Sequence, residues 1–98
     1  MPLSIIKLMI VDFVKLEKDM LSLLDQIGDV FSASERKDVV DFIDHGEYGL
    51  ALETLSDIFV EGNKNLTRTW LLEIENLADV MGIRKRVVTE ALVKQVIG

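Results

Sequence analysis

The sequence of 98 residues contains no cysteine and a single histidine. Without cysteine there is no disulfide framework, no thiolate zinc site and no cysteine nucleophile, and such a composition suits the cytosol. The lone histidine, His45, has neither a second histidine nor a cysteine to complete a metal site. Its place beside Gly46 marks a helix C-terminus, where the backbone dipole favours a cation. Glycines stand singly, so no phosphate-cradling loop is present. The serines lack the G-x-S-x-G surroundings of an activated nucleophile, and the alternating oxygen ligands of a calcium loop are missing. No catalytic, cofactor-binding or metal-binding residue is assigned, and the sequence reads as that of a non-enzyme.

Positive charge is scarce as well. Eleven Lys and Arg stand against 17 Asp and Glu, a net charge of −6, which argues against nucleic acid or an anionic membrane as a direct partner. A long uninterrupted apolar run is the last absence. Residues 5–24 are rich in apolar side chains, but Lys7, Asp12, Lys15, Glu17, Lys18 and Asp19 break them up, whereas a bilayer span needs roughly 20 apolar residues in a row. The start of the chain also lacks the basic, apolar and small-residue order of a signal peptide. The expectation is an unprocessed, soluble, cytoplasmic protein.

What the sequence does contain is helix punctuation. Ile6, Met9, Phe13, Leu16, Met20, Leu23, Leu24 and Ile27 fall three and four apart, the spacing of one helical face, with Gly28 as the stop. Ser32 and Glu35 form the S-x-x-E pattern of a capping box, followed by apolar Val39, Val40, Phe42 and Ile43 and a stop at Gly46. A third helix follows almost at once, with Leu52, Leu55, Ile58 and Phe59 inward and Gly62 as its end, and Gly49 is expected to let the backbones approach at the corner. Thr67 is the expected cap of a fourth helix, Leu66 and Leu71 its hydrophobic staple, Trp70 a core residue and Gly82 its stop. Val87, Val88, Ala91, Leu92 and Val96 give a fifth. No segment alternates with period two between hairpin turns. The reading is an all-α protein: one domain over residues 1–98, a compact bundle of about five helices at 4–27, 33–45, 47–61, 68–81 and 84–97.

Charge is unevenly spread along this frame. Residues 29–61 hold nine acids against Arg36 and Lys37, a net −7, while residues 62–98 carry +2. Glu53, Asp57 and Glu61 recur every four residues and share one helix face, where like charges repel. Asp38 and Asp41 lie on the preceding helix, and Asp44 and Glu47 flank the corner beside Tyr48, an aromatic of the kind that anchors interfaces. The basic cluster Arg84, Lys85 and Arg86 is too short to signal nucleic-acid binding and is expected to pair with acids of the bundle or of a second copy.

Residues 41–53, and within them the string G-E-Y-G-L-A-L-E at 46–53, followed by Leu55, Asp57 and Glu61 and later by Leu77-Ala78 and Met81-Gly82, resemble the Maf-type immunity protein family. That resemblance implies a small helical protein encoded beside a polymorphic or contact-dependent bacterial toxin. It implies that the protein stays in the cytoplasm and binds the C-terminal toxin domain of a secreted effector, often a nuclease and in particular an RNase. A nuclease is basic around its substrate groove, so an acidic surface could occlude it. The partner-binding residues expected on this basis are Asp38, Asp41, Asp44, Glu47, Tyr48, Glu53, Asp57 and Glu61. The alternative is a helical adaptor or homo-oligomerisation module, such as a homodimer, that uses the apolar N-terminal helix.

Overall fold

Apolar residues spaced three and four apart become the buried faces of four helices. The structure, a computed structural model, describes residues 12–97; the readings made for residues 4–11 and Gly98 lie outside them. Helix α1 (Phe13–Ile27) buries Leu16, Met20, Leu23, Leu24 and Ile27. It starts at Asp12, whose extended backbone and carboxylate cap it, the carboxylate accepting from the Lys15 amide at 3.0 Å. The helix expected to run unbroken through residues 4–27 therefore has a boundary at Asp12. A single 3-10 turn, Gly28–Val30, leads to helix α2 (Ala33–Asp44). Both halves of the capping box form: the Ser32 amide donates to Glu35 Oε1 at 2.8 Å, and the Glu35 amide to Ser32 Oγ at 3.1 Å.

Helix α3 (Tyr48–Glu61) is central and packs against every other helix among the described residues. Ala51, Leu52, Leu55 and Phe59 on its inner face are wholly buried. Its far end departs from expectation. Gly62 keeps a right-handed backbone, and Asn63, at φ 48°, makes the left-handed turn. Asn visits that region more readily than most residues. Gly62 answers a different need, since a Cβ there would lie 2.9 Å from the Ile58 carbonyl oxygen. Helix α4 (Arg68–Met81) begins as read, with Thr67 Oγ1 accepting from the Trp70 amide at 3.1 Å, and ends at a left-handed Gly82. Trp70 is half-buried and borders the core, its ring 6.2 Å from that of Phe59.

The fifth helix is a correction. In place of one helix over 84–97 there are two single turns, α5 (Arg84–Val87) and α6 (Glu90–Val93). Val88 leaves the helical region, and Thr89 caps the new turn by accepting from the Leu92 amide at 3.1 Å. Three consecutive β-branched residues, Val87, Val88 and Thr89, make this the weakest place to continue a helix, and the threonine offers the backbone another partner. Beyond α6 the chain returns to the start of α4. The Leu66 amide donates to the Gln95 carbonyl at 2.8 Å and the Ile97 amide to the Leu66 carbonyl at 3.0 Å, an isolated parallel bridge between Leu66 and Val96.

Candidate partner-binding face

Helices α2 and α3 form a hairpin through a three-residue corner. The Gly46 amide donates to the Ile43 carbonyl at 3.0 Å and the Glu47 amide to the Phe42 carbonyl at 2.9 Å. Closing the turn this way places Gly46 at φ 72°, which a residue with a Cβ resists. His45 Nδ1 sits 2.6 Å from the Asp41 carbonyl oxygen, so the exposed imidazole serves the end of α2. No cluster of potential metal ligands occurs among the described residues. Gly49 does not bring α3 onto α2, as the sequence suggested. A Cβ there would touch Ile83 and Arg86 at ordinary contact distances, so Gly49 faces the α4–α5 connection.

At the other end of the hairpin, Lys64 reaches back to Glu35 at 3.1 Å and donates to the Val30 carbonyl at 3.0 Å. These bonds hold the C-terminus of α3 beside the start of α2. They also explain why the Glu35 carboxyl is held below its ordinary range: the Ser32 amide is the main cause and Lys64 the next. At about 1.5 Å per residue, the acids from Glu47 to Glu61 span roughly 20 Å along α3.

The structure divides the expected partner-binding residues into two kinds. Asp38, Asp41, Asp44, Glu47, Asp57 and Glu61 are exposed, whereas Tyr48 and Glu53 are half-buried. Asp41 pairs with Lys37 at 2.8 Å, one turn away. Glu53 is bound more firmly. Arg86 Nε and Nη2 meet its two carboxylate oxygens at 3.0 and 2.9 Å, a two-pronged pair that ties α5 to α3. The hydrogen bond from Arg86 holds the Glu53 carboxyl below its ordinary 4.5. Sequence spacing alone gave Glu53 the same standing as Asp57 and Glu61, yet Glu53 is already engaged within the fold.

Asp38, Asp44, Glu47, Asp57 and Glu61 make no ion pair among the described residues. Two cations of the basic cluster are otherwise committed. Arg84 meets Glu75, and also Asp79 at 2.8 Å, so Arg84 and Arg86 of the basic cluster both find their acids within the bundle. The hairpin thus presents unneutralised carboxylates at its corner and at its open end.

One feature of this face was not visible in the sequence. The Phe13 ring, at the start of α1, stacks on Tyr48 with centroids 5.7 Å apart and planes 22° apart. Phe13 remains 57% exposed. It fits the apolar spacing of α1 and so reads as a core residue, and nothing local announces a partner 35 positions away. No known protein family, characterised protein or solved structure matches the chain.

Proposed function

We propose that this protein is a binding protein of the immunity type, which neutralises a toxin domain by covering its basic surface with the α2–α3 hairpin. The observation that carries the reading is the set of exposed, unpaired carboxylates of Asp38, Asp44, Glu47, Asp57 and Glu61 on one hairpin. Their placement works against the fold. Asp57 and Glu61 repel one another at one-turn spacing, by about 0.2–0.5 kcal/mol. Glu61 is the last residue of α3, whose final turn holds no base, so its charge opposes the helix dipole. A basic partner relieves both effects and is drawn in faster by the same field.

The resemblance of residues 41–53 to Maf-type immunity proteins supplies the class of partner. It is the C-terminal toxin domain of a secreted effector, a nuclease such as an RNase, met in the cytoplasm without direct contact to nucleic acid or membrane. Occlusion of a phosphate-binding groove is the mechanism that an acidic surface suits. The deciding experiment is affinity capture from the native lysate with the tagged full chain, at low and moderate salt, with identification of the bound protein. Recovery of a basic toxin domain that salt releases supports the reading, and recovery of the protein alone removes it.

A second reading rests on a different observation. Val14 is 80% exposed and Phe13 57%, and they follow, after Asp12, the apolar Ile5, Ile6, Leu8, Met9, Ile10 and Val11. An adaptor or homodimer that uses this end of the chain would bury them. Sedimentation over a hundredfold range of concentration separates the two, since only this reading requires self-association.

A further inference from the structure

We infer that the stacked rings of Phe13 and Tyr48 are a docking step for an arginine side chain of the basic partner. This rests on the reading of the α2–α3 hairpin as the partner-binding face, and names the side chain that the face is built to take. The rings lie nearly parallel, 5.7 Å apart, and join α1 to the corner of the hairpin. Tyr48 is half-buried, so the pair is fixed from the hairpin side, while Phe13 keeps more than half of its surface open. Exposed acids flank both rings in the chain: Asp12, whose Oδ1 also caps α1, precedes Phe13, Glu47 precedes Tyr48, and Asp44 ends α2 just before the corner.

The chemistry of the occupant follows from that combination. A purely apolar group would satisfy the rings and leave the carboxylates to be desolvated without a partner. A phosphate would be repelled. A lysine ammonium would meet the charge, but it is compact, strongly hydrated and has no plane to lay on a ring. A guanidinium is flat, weakly hydrated and always charged, so it stacks on an aromatic face while its edge donates to carboxylates. The fold already uses this pairing of arginine with an α3 carboxylate once, at Arg86 and Glu53. The corner offers the same carboxylate chemistry with an aromatic floor.

The test uses the full chain with hexa-arginine and hexa-lysine peptides, equal in formal charge, titrated at low salt and followed by NMR. Tyr48 is the sole tyrosine, so its ring signals are unambiguous. The expected result is two- to fivefold tighter binding of the arginine peptide, roughly the gain of an exposed cation–π contact, with ring shifts at Tyr48 that the lysine peptide does not produce. Phe13→Leu should erase the preference and Phe13→Tyr should restore it. Circular dichroism checks that both variants keep their helix content. Equal binding of both peptides without ring shifts would overturn the docking step and leave the acidic-face reading standing. Failure of both peptides to bind at low salt would overturn both readings.

Discussion

Ser56 is the one buried polar side chain among the described residues, 3% exposed on α3, and its hydroxyl donates to the Val87 carbonyl at 2.8 Å. That carbonyl ends α5 and has no backbone donor of its own. Ser56→Ala is therefore expected to cost about 1–3 kcal/mol, the penalty of an orphaned buried acceptor, read as a lower midpoint in urea at unchanged slope. Two residues before Val88, Arg86 makes the second bond from α5 to α3, the pair with Glu53. Because folding lowers the Glu53 pKa, this pair adds stability above the ordinary carboxylate value of 4.5 and loses it as pH falls through the folded-state value. Thermal melts from pH 7 to pH 3 should fall less steeply below about pH 4.5 for Arg86→Gln than for the native protein. An identical slope would mean that the bridge adds nothing in solution, as many exposed pairs do. Here the sequence reaches its limit. Glu53 and Asp57 look alike by position and neighbours, and a residue 33 places away makes one structural and leaves the other open.

Helix starts and stops were legible because their causes are local. Ser32 with Glu35, Thr67, and Gly82 act within a turn of their own position, and each does in the structure what its residue type suggests. The all-α bundle stands as read, and the single helix expected over 84–97 failed where the cause is a competition. Residues 84–97 carry apolar side chains at helical spacing, but the cap at Thr89 and the pairing of Gln95 and Ile97 with Leu66 outweigh the weak helix preference of Val87 and Val88. The bridge to Leu66 spans some thirty residues, and no window of the sequence contains both of its sides. Thr89→Ala tests that account. It should cost about 1 kcal/mol, as loss of an N-terminal cap does, and the loss should appear as faster amide exchange at Leu92, Val93 and Lys94 with α1 to α4 unchanged. A uniform loss of protection would show that α6 is no separate unit but part of the global fold.

At the scale of the whole molecule, the distribution of charge sets stability against association. The core runs as one cluster from Leu16 to Leu92, and the exposed acids of the hairpin contribute nothing to it. The acids that the fold needs have been given bases: Glu35 has Lys64, Glu53 has Arg86, and Glu75 and Asp79 share Arg84. Asp57 and Glu61 have none, and Glu61 ends α3, where the helix dipole disfavours a negative charge. Had folding alone shaped that turn, a base would stand there. The double change Asp57→Gln with Glu61→Lys is therefore expected to leave stability unchanged or raise it by up to about 1 kcal/mol, by ending the repulsion and matching the dipole. The same change should slow association with a basic partner at least tenfold at low salt, with the difference shrinking as salt is raised. Glu53→Lys is the contrasting variant, because it sets a lysine against Arg86 and should lower the melting temperature. If the double variant lost stability as well, the acids would belong to the fold. Opposite movement of stability and association assigns them to the partner, the pattern expected when a surface is kept suboptimal for folding because binding requires it.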